Sequence, residues 1–310
     1  LNGIFANRSN LFNPKFLRMF YDIIKFYKKC DTFDKFNENV TLGNFLEKEK
    51  LSKEFINYHL IPMVSAIWSM PPYEANQMPL NFFLKFFQNH GLFKIKNRPQ
   101  WYTVSGRSKI YVNKILQTVS GEYFKNYEIK KVFRNKNNVR LYYGSSNEYF
   151  DYDHVVFATH ANEALQLIEN KSEDEKKILE NFKYKKNVCI LHKDEALMPK
   201  NKKAWSSWNS ILDIKNLNKN CVTYWLNKLQ NLKTEKNYFL TLNPILEIDS
   251  KKIIKTVKFS HPFYDIKTLN AQKDLSKLQG INNSWFCGSY FGYGFHEDGL
   301  KSAINVANKL

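Results

Sequence analysis

Four cysteines and eleven glycines in 310 residues exclude several familiar designs. Cys30, Cys189, Cys221 and Cys287 lie far apart and form no C-x-x-C pair. That spacing argues against a zinc site or a disulfide framework and fits a reducing cytoplasm. No run approaches the roughly 18 apolar residues that a membrane span requires. No G-x-G-x-x-G turn occurs. The chain opens on Leu1 rather than Met and is expected to be a fragment, so a leader peptide cannot be judged from it. Acidic residues are also few, 29 against 47 Lys and Arg, for a net charge of +18. Alone, that charge suggests an anionic partner, either nucleic acid or a membrane surface. Abundant Lys, Asn, Ile, Phe and Tyr with scarce Arg and Ala is also the signature of AT-rich coding. No compact basic block interleaved with aromatics stands out, so no nucleic-acid partner is expected.

What is present supports a large core: 43% of residues are hydrophobic. Helical spacing of Phe16, Leu17, Phe20, Ile23, Ile24 and Tyr27 predicts a helix over 11–30, with Pro14 in its first turn. Lys15, Arg18, Lys25, Lys28 and Lys29 sit among these residues. Residues 15–29 either lie on anionic lipid or form a cap helix packed on their own domain. Further helices are expected over 41–60, capped by Thr41, over 80–90, and over Ser108 to Leu116. Met70-Pro71-Pro72 must break any helix between the second and third. Strands are expected at Glu128–Phe133 and Val139–Tyr143, turned at Asn137-Asn138, and at His154–Ala158. A charged helix follows over Glu163 to Phe182. Later strands are expected at Val188–His192, Cys221–Leu226, Tyr238–Leu242, Ile253–Phe259 and Ser284–Gly288. The domains read as a helical cap (1–98), a β-rich return segment (99–160), a substrate domain (161–280) and a closing strand-turn-helix (281–310).

The closing segment carries the clearest chemistry. Trp285-Phe286-Cys287-Gly288-Ser289-Tyr290 is a buried strand ending at a glycine. Gly292 and Gly294 follow, and Phe295-His296-Glu297-Asp298-Gly299-Leu300 opens a helix. Strand, glycine turn and helix N-terminus together form an anion-binding corner, because the first amides point outward and the helix dipole favours negative charge. Glu297 and Asp298 could equally serve only to stabilise that dipole.

The stretch from Cys287 to Ala303 resembles the closing motif of the flavin-containing amine oxidoreductases, in particular their bacterial branch described as predicted NAD/FAD-binding proteins. Ala66-Ile-Trp-Ser-Met-Pro, Arg98-Pro-Gln-Trp-Tyr-Thr-Val-Ser-Gly-Arg-Ser, Asp153-His-Val-Val-Phe-Ala-Thr-His, Ala204-Trp-Ser-Ser-Trp-Asn and Thr223-Tyr-Trp-Leu-Asn-Lys-Leu-Gln match that branch in collinear order. The resemblance implies a mixed α/β (α+β), two-domain fold of the FAD-dependent amine-oxidase type, here lacking the N-terminal Rossmann βαβ unit. It implies FAD contact by Gly288, Ser289, Glu297, Asp298, Gly299 and Leu300, and an adenine clasp near Val132. Without the first glycine turn, these 310 residues alone are expected to bind FAD poorly and to be inactive.

Two departures from the family bear on the reaction, and the first concerns the aromatic pair with which typical members flank the flavin: His296 stands roughly where one of its rings would be. Asn187, beside Lys185 and Lys186, falls near the position where amine oxidases carry a lysine close to the flavin. Hydride transfer from some C–H bond is therefore a safer expectation than amine oxidation. His296 is the catalytic candidate, as a proton acceptor or as a structural cap of the turn. Trp205, Trp208, Asn209, Tyr224, Trp225 and Asn227 line a substrate channel or form an aromatic core. Gene neighbours of this branch imply a lipid acyl substrate. The expected protein is a cytoplasmic oxidoreductase, peripheral to the inner face of the membrane; a non-catalytic lipid-binding protein is the alternative. No metal ligand set is expected.

Overall fold

The computed structural model describes residues 5–33, 39–144, 148–213 and 215–310. Its first helix, α1 (Pro14–Asp31), starts where Asn13 Oδ1 accepts the amides of Lys15 and Phe16 at 3.0 and 3.3 Å, with Pro14 inside the first turn. The C-terminal half of α1 buries Phe26, Tyr27 and Cys30. Phe26 stands 5.2 to 6.4 Å, centroid to centroid, from Phe45, Phe55, Phe83 and Phe93. Each such fully buried ring contributes about 1.5–3 kcal/mol.

The single helix expected over 41–60 is divided. Thr41 caps α2 (Leu42–Lys48), but the chain then leaves the helix and restarts at Ser52, whose hydroxyl accepts the Phe55 amide. The break serves the buried carboxylate of Asp22, which accepts the Ser52 amide at 2.8 Å and Arg18 Nε at 3.2 Å. From α3 (Lys53–Phe55) the helix passes through one π turn (Ile56–Leu60) into α4 (Ile61–Trp68). Pro62 cannot donate to the preceding turn, and the Ile61 amide reaches back five residues to Ile56 O. Helix α4 stops at left-handed Ser69 (φ 56°) before Pro71-Pro72. α5 (Pro72–Ala75) and the apolar α6 (Leu80–Asn89) follow.

The chain divides into two compact units, each built from two segments: residues 1–99 with 184–266, and 100–183 with 267–310. In the first, the helices accompany a sheet of order β6-β7-β8-β5-β9: β5 (Lys183–His192), β6 (Trp208–Asp213), β7 (Asn216–Trp225), β8 (Phe239–Leu242) and β9 (Ile253–Phe263). The short α10 (Leu226–Leu229) leaves the end of β7.

The second unit opens with α7 (Ser108–Thr118). β1 (Ile129–Arg134), β2 (Val139–Tyr143) and β3 (Tyr149–Tyr152) form an antiparallel sheet. β4 (Val155–Phe157) pairs in parallel with β10 (Ser284–Phe286). The helix expected over 163–182 is two helices, α8 (Ala161–Leu167) and α9 (Glu173–Leu179), because Ser172 caps a new start. Its hydroxyl accepts the Glu175 amide, and Glu175 returns a bond to the Ser172 amide. Buried Arg134 pairs with the same Glu175 carboxylate through both guanidinium nitrogens. α11 (Ile266–Asp274) and α12 (His296–Ala307) complete the chain. Residues 161–183 and 267–280 thus belong to the second unit, whereas the sequence reading places them in one substrate domain with the β5–β9 sheet.

Candidate functional site

The closing corner in the second unit is assembled around one serine. Ser302 Oγ, a turn and more into α12, accepts the Gly288 amide at 2.9 Å and lies 3.2 and 2.7 Å from the carbonyls of Gly288 and Gly299. The helix is thereby fixed to the end of β10. Gly288 must lack a side chain, since a Cβ there would meet the Tyr290 ring at 2.6 Å. Gly292 must lack one because of Asp298, whose carboxylate would lie 2.2 Å away. That carboxylate accepts the Tyr293 and Phe295 amides, both at 3.0 Å, and so closes the glycine turn. Gly299 differs. A Cβ there would meet nothing nearer than the Ser289 amide nitrogen at 3.7 Å, so its bareness leaves space against the Gly288–Ser289 backbone.

Gly288, Ser289, Asp298 and Gly299 are therefore brought together, with Glu297 and Leu300 exposed on the first turns of α12. Asp298 holds the turn, and Glu297 pairs with Lys301 at 3.5 Å. The amides of His296 and Glu297 precede the first helical bonds and point out of the helix end. This donor set and the space at Gly299 suit an anionic group such as a phosphate. His296 is exposed, and its Nδ1 bonds the Tyr111 hydroxyl on α7. The turn is capped by Asp298, not by His296. Val132 is buried in β1 opposite Leu141, and its carbonyl accepts the Glu169 amide at 3.0 Å.

The residues expected to line a substrate channel all lie in the first unit but are held by internal bonds. Trp205 packs with Met198, Phe239 and Trp225, and donates to Pro199 O at 2.7 Å. Trp225 donates to Asn237 Oδ1 at 3.0 Å. Asn209 is buried and bridges Ser206 and Thr223, while Asn227 bridges Lys236 and Tyr238. Tyr224 reaches Ala66 O at 3.4 Å, and burial raises its hydroxyl to about 12. Trp208, edge-on to Tyr224, is 45% exposed. None of the six lines the cavity of about 340 Å³ found in this unit.

Asn187 does line it. The Val188 amide donates to Asn243 Oδ1 at 2.9 Å, which fixes the Asn243 amide. Its nitrogen then donates to Asn187 Oδ1 at 2.6 Å, and Asn187 Nδ2 donates to His261 Nδ1 at 2.8 Å. A donor facing Nδ1 places the ring proton of neutral His261 on Nε2. The chain Asn243–Asn187–His261 joins residues 56 and 74 positions apart in sequence, so only the pairing of β5 with its neighbours brings it together. Among the described residues no group of three or more His, Cys, Asp or Glu is placed to hold a metal.

No protein-family model and no curated protein sequence matches the chain. Solved structures do. A CLA-producing fatty acid isomerase from P. acnes is similar at 10% identity and a TM-score of 0.60, over 96% of this chain and 75% of that one. Putrescine oxidase bound to putrescine is similar at 8% identity and 0.66, over 94% and 75%. Cyclohexylamine oxidase from Brevibacterium oxydans IH-35A is similar at 12% and 0.57, over 88% and 68%. The chain therefore has the fold of the FAD-dependent amine-oxidase type.

Proposed function

We propose that this protein is an FAD-dependent oxidoreductase that removes hydride from a C–H bond of an apolar, lipid-linked substrate. The observation that carries the proposal is the β10–α12 corner, with outward amides and room for a ligand at Gly299. Bound there, FAD would supply the hydride acceptor. The chain's own part is to seat a phosphate on the amides of His296 and Glu297 and to fix the corner through Ser302 and Asp298. His296, bonded to Tyr111, is the proton-accepting candidate. Asn187 in place of a lysine supports an acyl substrate over an amine; the structural likenesses, to a protein named a fatty acid isomerase and to two amine oxidases, favour neither.

Peripheral membrane contact belongs to the same proposal, narrowed to one end of α1. Phe26, Tyr27 and Cys30 are core, whereas Leu11, Phe12, Leu17 and Tyr21 are exposed, Phe12 by 86%. Lys15, Arg18 and Lys25 flank them, and the one acidic residue among them, Asp22, is buried. No helix among the described residues is long and apolar enough to cross a membrane. The same surface supports the second reading, a lipid-binding protein without turnover. Anaerobic mixing of the flavin-loaded protein with fatty acids separates the two: bleaching of the flavin band supports the oxidoreductase, and lipid binding without bleaching supports the alternative.

A further inference from the structure

Two residues that line the cavity in the first unit carry buried polar atoms without partners. Glu74 on α5 is 3% exposed. Its Oε1 accepts Lys185 Nζ at 2.7 Å and the Tyr73 hydroxyl at 3.0 Å, but Oε2 is buried without a partner. Ser65 on α4 is 2% exposed, and its Oγ also has no partner, although a helical serine can usually turn back to a carbonyl. Both residues line the cavity, which at about 340 Å³ is large enough for a small organic molecule. Leaving buried polar groups unpaired costs about 1–3 kcal/mol each, more for a charge, so a bound donor has much to gain here.

The rest of the lining narrows the class. Three lysines (Lys185, Lys186, Lys219) stand against the single carboxylate of Glu74, a formal surplus of two positive charges. That surplus disfavours a cationic donor and favours an anion. Met70, Val222, Leu242 and Ile245 supply apolar wall between the polar groups.

We infer that this cavity binds a hydroxy acid. A turn of the Ser65 and Glu74 side chains toward the cavity lets the acid's hydroxyl donate to Glu74 Oε2 and accept from Ser65 Oγ, with its carboxylate among the lysine ammonium groups. The inference stands on the first unit alone and does not depend on the flavin proposal.

Titration calorimetry with 6-hydroxyhexanoate, hexanoate and 6-aminohexanoate tests it. The hydroxy acid should bind about tenfold more tightly than hexanoate, the effect of one or two net hydrogen bonds, and more tightly than the amino acid. Ser65→Ala should bring the hydroxy acid close to the hexanoate affinity while leaving hexanoate unchanged. Glu74→Gln should weaken the hydroxy acid, and Ser65→Ala keeps the test decisive if that variant does not fold. Equal binding of all three, tightest binding of 6-aminohexanoate, or no binding of 6-hydroxyhexanoate would overturn the inference.

Discussion

Arg107 adopts φ 70° and ψ −172°, next to Gly106 at φ 75°. This is backbone territory that glycine occupies freely and a Cβ resists, at a cost of about 1–3 kcal/mol. Arg107→Gly should therefore raise stability by roughly 1 kcal/mol after allowing for the extra freedom of glycine when unfolded, read as a higher urea midpoint. His59 gives a pH dependence. Burial, with Arg98 nearby, lowers its imidazole to about 4 from the ordinary 6.5. The unfolded chain takes up a proton below pH 6.5 that the folded state refuses until about 4, so stability falls as pH drops through that window. Between pH 7.5 and 5.0 the loss should be about 2 kcal/mol, and His59→Phe should remove that share of the slope. Arg134 and Glu175 are both essentially buried. Burial pushes the Glu175 carboxyl up, but Arg134 and Ser172 bring it below its ordinary value. Removing one partner strands the other charge, so Glu175→Ala should cost about 3–5 kcal/mol in urea unfolding.

Elements with a strong period were legible before the structure. Phe82, Phe83, Phe86 and Phe87 mark α6, and Val139 to Tyr143 is β2. Element boundaries were lost where one side chain outweighs the pattern. Ser172-Glu-Asp-Glu175 is a capping box in plain sight, yet its apolar periodicity runs on from the preceding helix. Ser52 restarts a helix for the sake of Asp22, thirty residues away. Trp208 and Asn209 suit a channel or a core by residue type, and only their alternation in β6, Trp208 exposed and Asn209 buried, distinguishes their settings. β7 begins five residues before its apolar run, at Asn216, with exposed residues that only pairing to β6 orders. The corner at Gly288–Gly299 was legible as strand, turn and helix; the work of Ser302 was not, because it lies beyond the motif. Ser302→Ala should loosen the helix from β10 by roughly 1–3 kcal/mol, seen as faster hydrogen exchange at the Gly288 amide.

At the scale of the whole molecule, each unit is closed by a segment that returns after an excursion into the other. Composition carries no sign of these crossings, since none of the three boundaries, near 99, 183 and 266, carries a linker. The fold is shared at 8–12% identity with proteins of differing names, so fold alone leaves the reaction to the residues of the corner and cavity. The net charge of +18 adds a consequence: binding to vesicles containing anionic lipid should fall steeply between low and physiological salt, and Phe12→Glu with Leu17→Glu should abolish it.

Gly299 offers the most direct test of the flavin reading. An alanine there suits the helix and fits without a clash, so Gly299→Ala should raise stability by up to about 1 kcal/mol. It should also fill the space against Ser289 and weaken a ligand held there. In an equilibrium titration of the protein from its complete reading frame with FAD, the expected result is one flavin per chain, bound about tenfold more weakly by Gly299→Ala, as for a lost contact of ~1.4 kcal/mol. No flavin bound, or equal affinity in the variant, would contradict the assignment of this corner.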